Sequence, residues 1–84
     1  MLKEMISEAE TAKLHVGYKQ AVRALTSGNA TKIYIAEDCE DRMKKEIAAL
    51  ADEHNALVTY VPTMKELGQM CRIDRGASCA AVLK

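Results

Sequence analysis

Apolar residues recur along this 84-residue chain in two alternating rhythms, one helical and one extended. Leu2, Met5, Ile6, Ala9 and Ala12 fall at helical spacing, with Glu4, Glu8 and Glu10 elsewhere on the wheel, which predicts an amphipathic helix over residues 3–13. Leu14-His15-Val16 predicts a brief strand, and Gly17 punctuates the chain. A second helix is expected over residues 18–27, with Ala21, Val22 and Leu25 inward and Gly28-Asn29 at its end. Lys32-Ile33-Tyr34-Ile35-Ala36 reads as a buried strand. Glu37-Asp38-Cys39-Glu40-Asp41 is an acidic turn into a third helix over roughly 41–54, with Met43, Ile47, Leu50 and Ala51 on its buried stripe. Acids at a helix start suit the macrodipole, so this run has a plain structural explanation.

Leu57–Val61 reads as the next strand, stopped by Pro62. Thr63-Met64-Lys65-Glu66 matches a capping box and opens a short fourth helix that ends near Cys71. A loop, Arg72-Ile73-Asp74-Arg75-Gly76, leads to a last strand over residues 78–83. The order αβαβαβαβ predicts an α/β fold: a three-layer α/β/α sandwich around a small mixed four-stranded sheet, with residues 1–84 as a single domain. In such sheets, functional surface tends to lie on loops and helix starts at one edge.

Composition narrows the chemistry. With three Tyr and no Phe or Trp, the core must be aliphatic. Cys39, Cys71 and Cys79 are odd in number and form no C-x-x-C pair, so neither a disulfide scaffold nor a zinc site is indicated. Three unpaired thiols fit a reducing, cytoplasmic setting. The N-terminus is too charged for a signal peptide, no apolar run reaches membrane-spanning length, and a monomer is the default expectation. Twelve basic and twelve acidic residues cancel, which argues against a non-specific polyanion binder. Their distribution is uneven: residues 37–54 carry three basic and seven acidic side chains, and both flanks are mildly basic. A fold that joins the flanks would make one basic and one acidic face; an ordinary mixed surface explains the charges equally well.

The richest candidate site is Gly17-Tyr18-Lys19-Gln20-Ala21-Val22-Arg23. Glycine allows a sharp turn and close approach of a ligand. The unsatisfied N–H groups and positive dipole end of a helix start welcome a phosphate. Lys19 and Arg23 share a face, and two cations beside an amide suit hydrogen bonding to base edges. A solvated helix start is the competing explanation, although a cation there is mildly unfavourable for stability. In the 72–76 loop, Ile73 between two Arg could cap a base while the cations meet phosphates, or it could tuck into the core. Catalytic patterns are poor. His15 and His54 show no metal-ligand spacing, no phosphate-binding glycine motif or nucleophile elbow is present, and Cys39 lacks cationic activation. No enzymatic activity, cofactor or metal is expected.

Four segments in this order carry a resemblance: Gly17–Leu25, Tyr34–Asp38, Leu67–Cys71, and the Ile73 loop followed by a small-residue strand. Nearly the whole chain, from about residue 3 to residue 83, resembles a bacterial member of the kink-turn-binding ribosomal protein family. That family also includes archaeal and eukaryotic large-subunit ribosomal proteins and a core protein of box C/D and spliceosomal particles. The resemblance implies a single RNA-binding domain whose partner is structured RNA containing a kink-turn, in ribosomal RNA or elsewhere, and association with the ribosome. A kink-turn bends a duplex sharply and exposes guanine edges that a regular A-form major groove hides. The residues matching Lys19, Gln20 and Arg23 contact those guanines, and the loop matching Ile73 packs against bulged nucleotides with help from Arg75. The full set of implied contacts is Gly17, Tyr18, Lys19, Gln20, Arg23, Lys32, Glu40, Lys65, Arg72, Ile73, Asp74 and Arg75. This chain departs from the family in three places: Lys19-Gln20 replaces Asn-Glu, Arg72 replaces Gly, and Met64 replaces a Lys that adjacent Lys65 can stand in for. Another expectation rests on the acidic third helix, whose Glu46, Asp52 and Glu53 would make the chain a protein-interaction module in ribosome assembly.

Overall fold

The computed structural model describes residues 13–84, and its elements are numbered here over those residues. They are β1 (Leu14–Val16), α1 (Tyr18–Thr26), β2 (Ala30–Ala36), α2 (Asp41–Glu53), β3 (Leu57–Val61), α3 (Met64–Met70) and β4 (Cys79–Leu83). The helix expected ahead of β1 lies outside the described residues. The β2 strand begins two residues earlier than its β-branched run suggests, because Ala30 pairs with Leu83 across an irregularity at Thr31.

The strands form one mixed sheet in the order β1-β4-β2-β3. The last strand is therefore inserted between the first two, antiparallel to both, while β2 and β3 run parallel through the α2 crossover. Sequence neighbours on a strand point to opposite faces. Ile33, Tyr34 and Ile35 are all buried, and so are Cys79, Ala80, Ala81 and Val82, so both faces of the central strands are covered. The helices α1 and α2 pack on each other in one layer, and α3 packs on β2 and β3. Small residues decide how close these layers come. Ala21 and Ala24 of α1, which lies on β4, are almost fully enclosed, and so are Ala80 and Ala81 on the two faces of β4. Ile47 and Ala51 are the buried residues of α2, while Met43 and Leu50 are only half-buried and pack against the same core.

All three helices among the described residues end in the same way. In α1 the N–H of Gly28 donates to the Leu25 carbonyl and that of Asn29 to the Ala24 carbonyl. In α2, Asn55 donates to Asp52 and Ala56 to Ala51; in α3, Arg72 donates to Gln69 and Ile73 to Gly68. This double bond closes the helix only if the residue after the C-cap is left-handed. Gly28 adopts φ 75°, Asn55 φ 60° and Arg72 φ 63°. Glycine and asparagine tolerate that region, whereas arginine enters it at a cost of roughly 1–2 kcal/mol. Arg72→Gly is therefore expected to raise the unfolding free energy by roughly 0.5–1 kcal/mol, net of the added unfolded-state entropy, in urea denaturation. A loss of stability would show that the left-handed Arg72 is not strained.

Cys39, Cys71 and Cys79 are free and buried. Burial pushes all three thiols above their ordinary range, Cys71 to about 11. At pH 8 none should react with a disulfide reagent in the native state, and all three should react in denaturant. Because the folded protein disfavours the thiolate, the Cys71 contribution to stability is complete below pH 9 and is lost as pH rises towards 11.

Candidate nucleic-acid interface

One edge of the sheet is stitched together by backbone hydrogen bonds that run from element to element. Gly17 N–H donates to the Cys79 carbonyl (2.9 Å), Ala36 N–H to Ser78 (2.9 Å) and Glu37 N–H to Val61 (2.7 Å). Met64 N–H donates to the Asp38 carboxylate (2.8 Å), and Ala77 N–H returns to the Met64 carbonyl (3.0 Å). The start of α1, the acidic turn, the start of α3 and the end of the 72–76 loop are thereby held on a common edge.

The start of α1 differs from the other two helix starts. Gly17 is its N-cap, with φ 110°, no side-chain cap and no acid in the first turn. That φ is one L side chains rarely adopt, and a Cβ at Gly17 would meet nothing within 4 Å, so the backbone is open to approach. Ala21 N–H is the first to find the helix, at the Gly17 carbonyl (2.9 Å). The preceding N–H groups and the positive end of the helix face outward with Lys19 and Gln20, both exposed. Tyr18, Lys19, Val22, Arg23 and Thr26 line a shallow recess of about 360 Å³ beside them. The Tyr18 hydroxyl donates to the Glu46 carboxylate (2.7 Å) and so ties α1 to α2. That carboxylate, with lesser help from burial, holds the Tyr18 phenol above its usual pKa.

By contrast, α3 is capped twice. Thr63 Oγ1 accepts from Glu66 N–H (3.0 Å), as its capping-box pattern predicts, and Asp38 accepts from Met64 N–H. The second cap explains part of the acidic turn in a way that sequence does not: Asp38 serves the helix after the next strand rather than α2.

The 72–76 loop folds back onto α3 because Gly68 has no side chain. A Cβ there would overlap the Arg75 carbonyl. Lys65, Gln69, Ile73, Asp74, Arg75 and Gly76 line a second recess of about 200 Å³. Ile73 is half-buried against the core and also forms part of this recess, which combines both readings of its position. Gly76 lies three residues before Cys79, so at most roughly 11 Å of chain separates the loop from the residue that holds Gly17.

Most of the expected contact residues therefore share one edge. Gly17, Tyr18, Lys19, Gln20 and Arg23 come from the α1 side, and Lys65, Arg72, Ile73, Asp74 and Arg75 from the loop side. Glu40 stands between them at the N-cap of α2, exposed, with no cap hydrogen bond from its side chain. Lys32 is not part of this group. It pairs with Leu57 and Val82 towards the far end of β2, and its ammonium lies 5.5 Å from the Tyr34 ring centroid. Gln69 belongs to the loop recess but was not among the expected residues; its place one helical turn after Lys65 was the available signal. Among the described residues, no group of three or more His, Cys, Asp or Glu could hold a metal ion, and no helix is long and apolar enough to cross a membrane.

Fold and site together define a small α/β/α fold with Lys19 and Arg23 beside the start of α1 and Lys65 and Arg75 on the loop recess. The chain belongs to the Ribosomal protein L7Ae/L30e/S12e/Gadd45 family, whose model matches residues 1–84. It is 40% identical over 75 residues to the RNA-binding protein YbxF of Geobacillus stearothermophilus, covering 89% of this chain and 92% of that protein. It is 42% identical over 66 residues to the RNA-binding protein TTE2299 of Caldanaerobacter subterraneus, covering 79% of this chain and 80% of that one. Large ribosomal subunit protein eL8 of Nitrosopumilus maritimus is 33% identical over 82 residues, which span 95% of this chain and 64% of that protein. A solved Bacillus halodurans protein of unknown function superposes with a TM-score of 0.80 at 21% identity, over 90% of this chain and 76% of that one, which shows the shared fold.

Gly68→Ala should lift the loop off α3 at a cost of about 1–3 kcal/mol. Hydrogen exchange reads this directly: protection at the Ile73 and Ala77 amides, bonded to Gly68 and Met64, should collapse while the β2–β4 amides stay protected. Unchanged exchange at Ile73 would show that the loop tolerates the methyl group.

Proposed function

We propose that this protein binds structured RNA and selects the kink-turn, in ribosomal RNA or another folded RNA. The observation that carries the reading is the uncapped, sterically open start of α1, with Lys19, Gln20 and Arg23 around it. Family membership and the names of the bacterial relatives support the same partner. A kink-turn offers what this edge can read. Its bend exposes guanine edges to the helix start, and its bulged nucleotides reach the Ile73 recess. Lys19 and Arg23 donate to guanine O6 and N7, Gln20 donates and accepts on a base edge, and the backbone N–H groups of the first turn meet phosphate. Lys65, Arg72 and Arg75 add phosphate contacts that position the RNA. The work is a shift of population: the protein binds the bent conformer better than the extended one and so stabilises it, with no chemical step.

A role for α2 in meeting a basic protein receives no comparable support. The same helix carries Arg42, Lys44 and Lys45, and Glu46 is already engaged by Tyr18.

Titration at one stated salt concentration against two RNAs tests the proposal. One contains a kink-turn, and the other is the same stem with its G·A pairs replaced by Watson–Crick pairs. Tight binding to the first and much weaker binding to the second is the expected result, and equal affinity for both overturns the selectivity. Lys19→Ala and Arg23→Ala should each weaken kink-turn binding by about 1–3 kcal/mol. Unchanged affinity in both variants would remove α1 from the interface.

A further inference from the structure

The lateral border of the sheet, along β3, carries features that the proposed RNA contacts do not use. Among the described residues β3 is the outermost strand, so one side of its backbone faces no neighbouring strand. Natural edge strands are normally blunted by charge, proline or a bulge. Leu57-Val58-Thr59-Tyr60-Val61 has none of these. It also displays two large apolar side chains, Leu57 at 68% and Tyr60 at 47% exposure. Tyr60 borders a recess of about 340 Å³ whose other walls include Lys45 and Ala48 of α2.

The adjoining surface of α2 says what fits there. Lys45, Ala48 and Asp52 lie three and four residues apart and so form one stripe along the helix. The side chains of Lys45 and Asp52 are exposed and have no ion-pair or hydrogen-bond partner among the described residues. Nearby Lys44 is different: it is held by the Glu37 carbonyl (2.8 Å) and Asp41 (3.6 Å). The stripe is thus positive at one end, small in the middle and negative at the other. Rotation by 180° about an axis through its middle places Lys45 on Asp52 and Asp52 on Lys45. A surface that is complementary to itself under a two-fold rotation is what an isologous dimer needs.

We propose that the β3 edge and the Lys45–Ala48–Asp52 stripe bind a second copy of this chain. The two β3 strands pair antiparallel about Thr59, the register that matches all five residues. Val58 then lies opposite the partner copy's Tyr60 on the α2 side, and Leu57 opposite its Val61 on the other. No charge lies on either strand to repel its mate, and each α2 exchanges a Lys45–Asp52 pair with the other. Five paired residues and one helix stripe make a small interface, so the dimer forms at roughly micromolar or higher concentration. The dimer displays two copies of the RNA-facing edge.

Sedimentation equilibrium of the full chain over a wide concentration range tests this. The wild type should approach twice the monomer mass at high concentration. Lys45→Glu and Asp52→Lys should each weaken dimerisation about tenfold, because each alters both symmetric pairs. Neither opposes the α2 macrodipole, so both variants keep the fold. Lys45→Glu combined with Asp52→Lys restores opposite charges across the axis and should recover wild-type dimerisation. Tyr60→Lys should abolish it. A monomer at every concentration, or a double variant no better than the singles, overturns the proposal.

Discussion

The fold depends on the insertion of β4 between β1 and β2. No pairing in the sheet is more distant in sequence: Leu14 meets Val82, and Ile33 meets Ala81. Until that strand is in place, β1 and β2 have no common neighbour and α1 lacks the strand it packs on most extensively. Its insertion also builds the candidate interface, because the Cys79 carbonyl fixes Gly17 at the start of α1 while the residues just before it carry the 72–76 loop. Closing so long a loop is entropically unfavourable before any contact offsets it, so this step is expected to be late and cooperative. Four small or buried side chains, Cys79 to Val82, let the strand enter a sheet already covered on both faces.

Backbone geometry then decides where function and stability pull apart. Each described helix ends in a left-handed residue, and at Gly28 and Asn55 the residue type suits the conformation. At Arg72 it does not. The misfit occurs on the loop that borders the Ile73 recess, where the Arg72 side chain is exposed. Gly68 works in the opposite sense, since the absence of a side chain lets that loop lie against α3. The close approach at Gly68 holds the loop against α3 in spite of the strain at Arg72.

Charge is arranged by the same economy of contacts. The acidic turn falls on the edge that also carries the cations, so the surface does not divide into one basic and one acidic face. Much of the turn is spoken for: Asp38 caps α3, and Asp41 and the Glu37 carbonyl hold Lys44. The cations of α1 and the loop have no such internal partners among the described residues and remain available to a ligand.

The sequence by itself determined the described elements, their order and the fold class, because helical and extended periodicities and local stop signals act over a few residues. Gly28-Asn29, the Thr63 cap and the β-branched run in β2 all behaved as local rules require. It also marked Gly17–Arg23 as a candidate site, since a glycine followed by cations at a helix start is a local pattern. The tertiary structure decided what depends on strand order and backbone dihedrals. It put Asp38 on α3, tied Tyr18 to Glu46, left Lys32 far along β2 beside Tyr34, and brought Gln69 into the loop recess. It also left the neutral β3 strand on the border of the sheet. The Asp38 cap, the Tyr18–Glu46 bond and the place of β3 could not be read from spacing, because each depends on elements that meet only in the folded sheet.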